Sequence, residues 1–353
     1  MNLINENKHK LGAPKRIIIL RALQLGDLMC SVPAFKTLRA AFPDALITLT
    51  GLSWSRTFVE RFSEYLDEFI EFPGFPGFPE KEAQIEQIPS FLLEVQGRKY
   101  DLAFQMQGSG AISNPLVMLF GADKNAGFYL PGQYCPDSER FLSYPVHETE
   151  VVRHLRLMEF LGLPSQGEHL EFPLCTQDWE EFHEHQAKYD LPSNNYAVIH
   201  PGARSLDRRW PVEWFANVGD GLAERGLRVV LTGVAEETHL TEAVASHMKA
   251  PAINLAGQTS LGGIGALLSA SRLLVSNDTG VSHIADALDI PSVVLFTASD
   301  PARWAPQNSA LHRVVAWATT AMPQTVLDQV DQLLFKETVS DYQIFTNTIE
   351  HPV

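Results

Sequence analysis

Short apolar runs rich in Ile, Val and Leu alternate along this chain with longer segments in which apolar residues recur every three or four positions. The first pattern predicts buried β-strands, and the second predicts amphipathic helices. The alternation occurs in the first half of the chain and again in the second half. The sequence therefore predicts an α/β protein made of two doubly wound units, each a parallel sheet covered by helices.

The first half contains four predicted strands and three predicted helices. The strands are expected at 17–20, 46–50, 68–72 and 102–106, and the helices at 28–41, 54–62 and 85–97. Segment 72–79 alternates Pro, Gly and Phe, and proline blocks both helix and strand pairing, so this segment is predicted to be an irregular loop. Segment 129–145 is predicted to be a second, loop-rich insertion. Both loops either line an acceptor groove or decorate the surface.

The second half follows a polar, proline-containing linker at 163–173. Its strands are expected at 196–199, 228–232, 253–255, 273–275 and 292–296, and its helices at 212–225, 236–249, 261–270, 281–288 and 323–335. The predicted domains are therefore 1–170 and 171–335, followed by a tail at 336–353.

Composition narrows the class of protein. The 353 residues are 45% hydrophobic and 20% charged, which is typical of a globular chain, and the net charge of −15 argues against nucleic-acid binding. The three cysteines, Cys30, Cys135 and Cys175, have no metal-ligand spacing, which suits a reducing compartment. No apolar stretch is long enough to cross a membrane, and the first residues form no apolar signal. A cytoplasmic location is expected.

The most informative segment is 272–283, where an apolar strand leads directly into a small, polar helix start. The first turn of a helix presents free N–H groups, and Gly280 allows an anion to approach them closely. Asp278 and Thr279 either help to bind a phosphate group there or only cap the helix. His283 is expected to pack under this turn and support it.

Segment 200–211 follows another predicted strand and carries Arg204, Arg208 and Arg209 among small residues that include Gly202 and Ser205. Guanidinium groups bind phosphate oxygens in pairs, so this spacing favours a diphosphate over a solvated surface.

Two further loops carry carboxylates at predicted strand ends. Glu236 and Glu237 either accept hydrogen bonds from a ribose or only interact favourably with a helix start. In the first half, Asp27 follows Gly26 at a helix start, where its carboxylate is either a cap or a base.

Several enzyme classes lack their motifs in this sequence. Neither half has Gly-x-Gly-x-x-Gly after a strand, and the chain has no Gly-Lys-Ser/Thr phosphate loop and no Gly-x-Ser-x-Gly. Hydride transfer and acyl hydrolysis are therefore disfavoured. Two Rossmann-like halves, one with an arginine-rich phosphate site and one with a lone carboxylate, fit glycosyl transfer from a nucleotide-sugar.

The order of these motifs resembles glycosyltransferase family 9, the bacterial heptosyltransferases of lipopolysaccharide core synthesis, over residues 16–335. The resemblance is carried by the opening strand and Gly-Asp turn at 17–27, by Pro-Ala-Phe-Lys-Thr-Leu at 33–38, by Arg-Arg-Trp-Pro at 208–211 and by Asp-Thr-Gly-Val-Ser-His at 278–283. Arg208 departs from the lysine of the better-known members.

This resemblance implies a GT-B fold in which two Rossmann-like domains face across a cleft. It implies acceptor binding by the first domain, donor binding by the second, and inversion at the anomeric carbon without a metal or other cofactor. Asp27 matches the general base, Asp278, Thr279 and Gly280 match the donor turn, and one of Glu236 and Glu237 matches the ribose-binding glutamate.

The implied partners are a nucleotide-sugar, with ADP-heptose as the expected donor, and a glycan or glycolipid acceptor. Candidate acceptor contacts are Gly26, Arg56 and Arg61. We expect a monomer that makes transient contact with the inner membrane surface. Two alternatives remain: a GT-B-like nucleotide-sugar epimerase or hydrolase, and a non-catalytic nucleotide-sugar-binding protein.

Overall fold

The structure is a computed structural model that describes residues 11–316 and 322–346. The chain divides into two compact units, Met1–Pro173 and Leu174–Val353, so the division follows Pro173, whereas the sequence placed it after residue 170. Within the described residues, each unit contains one six-stranded sheet whose neighbouring strands are all parallel.

The first sheet has the strand order β3-β2-β1-β4-β5-β6. Its strands are β1 (Arg16–Leu20), β2 (Leu46–Gly51), β3 (Glu68–Glu71), β4 (Leu102–Gln105), β5 (Lys124–Tyr129) and β6 (Phe141–Ser143). The helices of this unit are α1 (Leu25–Met29), α2 (Val32–Ala41), α3 (Ser55–Arg61), α4 (Ile88–Gly97), α5 (Ser113–Met118) and α6 (Glu150–Phe160). The central strands β1 and β4 are almost wholly buried, as expected for a parallel sheet covered on both faces.

The helix predicted at 28–41 is wrong, because the structure contains two helices there, α1 and α2. The break falls at Cys30 and Ser31. The Ser31 hydroxyl donates to the carbonyl of Asp27 at 2.9 Å, and Pro33, which has no N–H, occupies the first turn of α2. Proline is favoured in a first turn and disfavoured inside a helix, so it marks a new helix start.

The two predicted loops differ in the structure. Segment 72–79 has no helix or strand, as predicted; Phe72 and Phe78 are buried in the core of the unit, while Pro76 and Gly77 are exposed. Segment 129–145 is not wholly a loop, because β6 lies within it and pairs with β5 in parallel. Three residues of β6 suffice to extend the sheet, and so short a strand gives little periodic signal.

The second sheet has the order β12-β11-β10-β7-β8-β9. Its strands are β7 (Tyr196–His200), β8 (Arg228–Leu231), β9 (Ala252–Asn254), β10 (Leu273–Asn277), β11 (Ser292–Phe296) and β12 (His312–Ala316). Its helices are α7 (Thr176–Tyr189), α8 (Val212–Glu224), α9 (Thr238–His247), α10 (Leu261–Ser269), α11 (Gly280–Ala287), α12 (Pro301–Trp304) and α13 (Pro323–Thr346). The core of this unit includes the buried Trp210, Phe215 and Val275.

All five strands predicted in the second half are present. The pattern misses β12, α7 and α12, and in the first half β5, β6, α5 and α6. The last helix continues through Thr346 into the segment that was predicted to be a tail, of which 347–353 lies outside the described residues. Among the described residues, no helix combines the length and the apolar character that a membrane span needs.

Each sheet reverses its strand order at one place, between β1 and β4 in the first unit and between β7 and β10 in the second. Ligands of doubly wound proteins bind at the carboxyl ends of the strands beside such a reversal. In each unit, the predicted site residues lie on segments that follow either the two strands at the reversal or a neighbouring strand. The fold therefore gives both sets a position suited to ligand binding.

Candidate functional site

The two predicted phosphate-binding segments of the second unit leave the sheet side by side. β7 and β10 are paired neighbours, with His200 opposite Ser276 in the register. Residues 201–210, here called the arginine loop, follow β7, while Asp278, Thr279 and α11 follow β10. The structure thus brings together two segments that are far apart in the sequence, at the reversal of strand order.

The start of α11 has the properties of an anion site. Gly280 is its first residue, and Thr279 precedes it in an extended conformation whose side chain makes no capping hydrogen bond. The hydroxyl of Ser282 donates to the carbonyl of Thr279 at 2.7 Å. The helix start retains its partial positive charge, and the alternative in which Thr279 caps it is not supported.

Asp278 is buried, with 3% of its surface exposed. Its backbone N–H donates to the carbonyl of Leu295 at 2.9 Å, but its Oδ2 has no hydrogen-bond partner within the described part of the chain. Arg208 supplies the nearby positive charge, with its Nη1 3.6 Å from that oxygen. A buried carboxylate oxygen without a donor is costly, so it favours a ligand hydroxyl that donates to it.

The arginine loop presents its three guanidinium groups in different environments. Arg204 is exposed, whereas Arg208 and Arg209 are half-buried. Arg208 ends a short 3₁₀ turn, Leu206–Arg208, and the Nε of Arg209 donates to the carbonyl of Ala203 at 2.8 Å. The Ser205 hydroxyl hydrogen-bonds to the carboxylate of Asp207 inside the loop. The loop is therefore folded on itself, and cationic side chains remain at its surface.

The structure distinguishes the two candidate glutamates. Glu236 is exposed, while Glu237 is buried at the end of a 3₁₀ turn, Ala235–Glu237. The Oε2 of Glu237 accepts a hydrogen bond from the N–H of Val234 at 3.2 Å, and its Oε1 lies 3.9 Å from the Nη2 of Arg209. The same carboxylate lies against Gly202, where it occupies the space that a Cβ on residue 202 would need. Glu237 therefore joins the arginine loop, and Glu236 does not.

His200 and His283 are both buried beside these segments. The Nδ1 of His200 is 3.1 Å from the Thr232 hydroxyl, and burial lowers the pKa of His200 to about 4, so its ring is neutral at neutral pH. His283 lies in α11 and packs edge-to-face on Trp304, with ring centroids 6.3 Å apart. The packing of His283 agrees with the supporting role that the sequence suggests.

Asn277 belongs to this site but is not among the residues that the sequence predicts for it. It is fully buried, and its side chain hydrogen-bonds to the backbone of Pro201 and of Trp210, one at each end of the arginine loop. Thr297, which follows β11, also bonds to the loop, at the carbonyl of Asp207. The only signal of Asn277 in the sequence is a polar residue at the end of an apolar strand.

Asp27 lies in the first turn of α1, where its Oδ2 accepts a hydrogen bond from the N–H of Gln24 at 3.3 Å. Gln24, not Asp27, occupies the capping position, so the interpretation of Asp27 as the cap residue itself is wrong. Gly26 precedes it, half-buried, and its carbonyl accepts from Cys30 at 3.0 Å. The carboxylate thus supports the helix start with one oxygen.

The backbone of Asp27 is held by the fully buried Arg21. Nε and Nη2 of Arg21 donate to the Asp27 carbonyl at 3.0 and 2.6 Å, and Nη1 donates to the carbonyl of Met106. Nη2 also lies 3.3 Å from the carboxylate of Glu150, which pairs in turn with Arg153. This buried network fixes the turn that carries Asp27.

His154 completes the network, with its Nε2 3.4 Å from Oε1 of Glu150. Burial, followed by the positive charge of Arg21, lowers the pKa of His154 to about 4. The ring is therefore neutral at neutral pH, and the single negative charge of Glu150 lies beside the positive charges of Arg21 and Arg153.

The two predicted acceptor-binding arginines lie at opposite ends of α3. Arg56 is exposed near its start, and its guanidinium lies 5.0 Å from the ring centroid of Phe69. Arg61 ends the helix, donates to the carbonyl of Pro173 at 2.6 Å and lies over Phe172. The helix follows β2 and returns across the sheet, so Arg56 is at the carboxyl edge and Arg61 is not.

Comparison with known proteins shows the family to which the chain belongs. The family model of Glycosyltransferase family 9 (heptosyltransferase) matches residues 90–333. Lipopolysaccharide heptosyltransferase 2 of Escherichia coli (strain K12) is 26% identical over 356 residues, which are 91% of this chain and 99% of that protein.

Two solved structures show the same fold. The glycosyl transferase family 9 structure from Veillonella parvula DSM 2008 has a TM-score of 0.76 at 20% identity, covering 91% of this chain and 98% of the other. E. coli ADP-heptose lps heptosyltransferase II has a TM-score of 0.73 at 24% identity, covering 92% and 99%. The predicted fold class, α/β with two Rossmann-like domains of the GT-B type, is confirmed. The chain belongs to glycosyltransferase family 9 and is a glycosyltransferase.

Proposed function

We propose that this protein is an inverting, metal-independent heptosyltransferase that transfers heptose from ADP-heptose to the lipopolysaccharide core or a related cell-surface glycan. The observation that carries the proposal is the cationic turn of the second unit, where Arg208 lies beside the buried carboxylate of Asp278 next to the start of α11. Such a turn suits a sugar diphosphate, which brings both an anion and hydroxyl groups. The names of the E. coli relatives support heptose as the sugar and lipopolysaccharide as the acceptor.

Each part of the donor has a candidate partner. Arg204, Arg208 and Arg209 bind the diphosphate oxygens together with the N–H groups at Thr279 and Gly280. These five residues supply positive charge without a metal or other cofactor.

The sugar and the ribose have carboxylate partners. Asp278 accepts a hydrogen bond from a hydroxyl of the heptose, which satisfies its unpaired Oδ2. Glu237, rather than the exposed Glu236, accepts from the ribose, because its carboxylate lies against Gly202 and near Arg209. Ser205 and His283 support the loop and the helix start.

Asp27 is the proposed general base. An acceptor hydroxyl oxygen attacks the anomeric carbon as the bond from that carbon to the diphosphate oxygen breaks. The hydroxyl proton passes to the Asp27 carboxylate, and the electron pair of the broken bond leaves with ADP, whose charge the arginines and the helix start stabilise. A single displacement inverts the anomeric configuration. Arg21 keeps the Asp27 turn in place.

The candidate acceptor contacts all lie in the first unit. We propose that Gly26 and Arg56 contact the acceptor glycan, since both lie on segments that follow strands at the carboxyl edge of the first sheet. Arg61, which is engaged with Pro173 and Phe172, is the weaker candidate. We also propose that the protein acts as a monomer in the cytoplasm and binds a glycolipid acceptor transiently at the inner membrane surface.

Donor identity is tested by thermal shift with ADP-, GDP-, UDP- and dTDP-sugars, because a ligand that binds the folded state raises the melting temperature. ADP-heptose is expected to give the largest shift. Transfer is then assayed with ADP-heptose and a heptose-deficient lipopolysaccharide acceptor, and NMR of the product gives the anomeric configuration. A larger shift with another nucleotide-sugar contradicts the proposed donor, and free heptose without an acceptor product contradicts transfer.

A further inference from the structure

Asn277 connects both ends of the arginine loop to the segment that starts α11. It is the last residue of β10 and is fully buried. Its Oδ1 accepts a hydrogen bond from the backbone N–H of Trp210 at 3.1 Å, and its Nδ2 donates to the carbonyl of Pro201 at 2.8 Å. One side chain therefore pairs with the backbone where the loop begins and where it ends.

Two further hydrogen bonds of the arginine loop join residues that are close in the sequence. The N–H of Arg208 donates to Ser205 and that of Arg209 donates to Leu206, each at 3.1 Å. They shape the loop locally but do not attach it to the neighbouring strand. Thr297, which donates to the carbonyl of Asp207 at 2.7 Å, provides a second attachment from outside.

The amide of Asn277 suits this position because it contains both a donor and an acceptor. A carboxylate has no N–H for Pro201, and an apolar side chain would leave a buried carbonyl and the N–H of Trp210 unpaired. Asn277 also directly precedes Asp278, so the same residue links the arginines to the anion-binding turn.

We propose that Asn277 is a positioning residue that holds the arginine loop in its donor-binding conformation before the donor arrives. This inference rests on the proposed function, because it takes the arginine loop as the diphosphate site. A loop that is already ordered loses less conformational freedom on binding. If the binding conformation is populated only part of the time, the apparent affinity falls by that fraction.

The test compares Asn277→Ala with Asn114→Ala. Asn114 is a matched control because it is also fully buried and donates from Nδ2 to a backbone carbonyl, that of Phe128, at 2.9 Å. Calorimetry measures the Kd of ADP and of inorganic pyrophosphate. Hydrogen exchange without ligand measures the opening of residues 202–209.

In Asn277→Ala we expect both Kd values to rise about tenfold, with faster exchange in 202–209. The donor KM rises with them, while kcat changes much less, which a general loss of stability would not produce. In Asn114→Ala, both Kd values and the loop exchange stay as in the wild type, although the melting temperature falls. Wild-type Kd values and wild-type loop exchange in Asn277→Ala would overturn the inference.

If Asn277→Ala does not fold, Asn277→Asp provides the test. It keeps the acceptor for Trp210 and loses the donor to Pro201, so exchange in 202–209 is expected to increase, and unchanged exchange overturns the inference. Failure of the proposed function gives a different result. A wild-type protein that binds pyrophosphate but not ADP contradicts the proposed donor and leaves the pyrophosphate comparison intact. A wild-type protein that binds neither pyrophosphate nor ADP contradicts the donor site. Hydrogen exchange in 202–209 then tests by itself whether Asn277 holds the arginine loop.

Discussion

The Nη1 of Arg208 lies 3.6 Å from Oδ2 of Asp278, although the two residues are on different segments of the second unit. Arg208 is part of the arginine loop after β7, and Asp278 directly follows β10. The arginine is partly exposed, whereas the carboxylate is buried. This geometry leaves N–H groups of the guanidinium available to an incoming anion while its charge compensates the carboxylate behind it.

Replacement of Arg208 is expected to weaken donor binding. Arg208→Ala removes hydrogen bonds to a charged group, each of which contributes about 1.5 to 3 kcal/mol, so the Kd of ADP should rise about tenfold to a hundredfold. Arg208→Lys keeps the charge but loses the paired N–H groups, so its Kd for ADP should lie between those of the wild type and of Arg208→Ala. Calorimetry with ADP measures both. Arg228→Ala is the control, because Arg228 is exposed at the opposite, amino end of β8; an equal loss of affinity there would contradict the assignment.

Asp27 is expected to affect turnover and not donor binding. Asp27→Asn keeps an oxygen for the N–H of Gln24 but cannot accept the acceptor proton, so kcat should fall by about 10² to 10⁴ while the Kd of ADP stays unchanged. Steady-state kinetics with a heptose-deficient acceptor measure kcat. Asp44→Asn, at an exposed position of the same unit, is the control.

Comparing Asp27→Asn with Asp27→Ala distinguishes a general base from a carboxylate that only supports the helix start. If the carboxylate only supports the start of α1, Asp27→Asn should retain most activity and Asp27→Ala should lose it. If it is the base, both variants are inactive to a similar degree. Near-wild-type turnover in Asp27→Asn would therefore rule out the general base.

The sequence predicts the parallel sheets well because their central strands contain continuous apolar runs, at 17–20 in β1 and at 273–275 in β10. It predicts the location of the arginine loop and of the α11 start because charged and small residues interrupt that pattern at strand ends. Both are local signals. The sequence pattern does not predict the break between α1 and α2, because the apolar spacing continues across it and the break depends on Pro33 and on the hydroxyl of Ser31.

The network around Arg21 could not be predicted from local pattern. Arg21 and Glu150 are separated by 129 positions, and their pairing depends on the packing of α6 against the rest of the unit. A charged residue beside an apolar strand is usually solvent-exposed, whereas Arg21 is fully buried. The burial that separates Glu237 from Glu236 has the same origin, because it arises from the space beside Gly202.

The two glutamates are expected to differ in nucleotide binding. Glu237→Gln should weaken ADP about tenfold and leave inorganic pyrophosphate nearly unchanged, because a contact to ribose is absent from pyrophosphate. Glu236→Gln, at the exposed neighbouring position, is the control and should change neither Kd. Calorimetry with the two ligands measures the difference. An equal loss for ADP and pyrophosphate would instead assign Glu237 to support of the arginine loop through Arg209.

Stability is expected to fall in mild acid because of His154. Its pKa is about 4 in the folded protein, lowered by burial and by Arg21, against about 6.5 in an unfolded chain. Between these values the unfolded state binds more protons, so the free energy of unfolding decreases as the pH falls from about 6.5 towards 4. A fully titrating group contributes a slope of about 1.4 kcal/mol per pH unit. The buried His200, whose pKa is also lowered to about 4, adds to the same slope.

His154→Gln isolates this contribution, since glutamine is polar and does not titrate. The His154→Gln substitution should reduce the pH dependence of the urea midpoint between about pH 5 and pH 6.5. This range lies above the ordinary pKa of carboxyl groups. The substitution leaves Glu150 with Arg21 and Arg153 as partners, so the variant is expected to fold. His239→Gln, at an exposed position, should retain the wild-type slope. If His154→Gln keeps the same slope as His239→Gln, the acid sensitivity does not arise from the network beneath Asp27, and protonation of His200 becomes its main source.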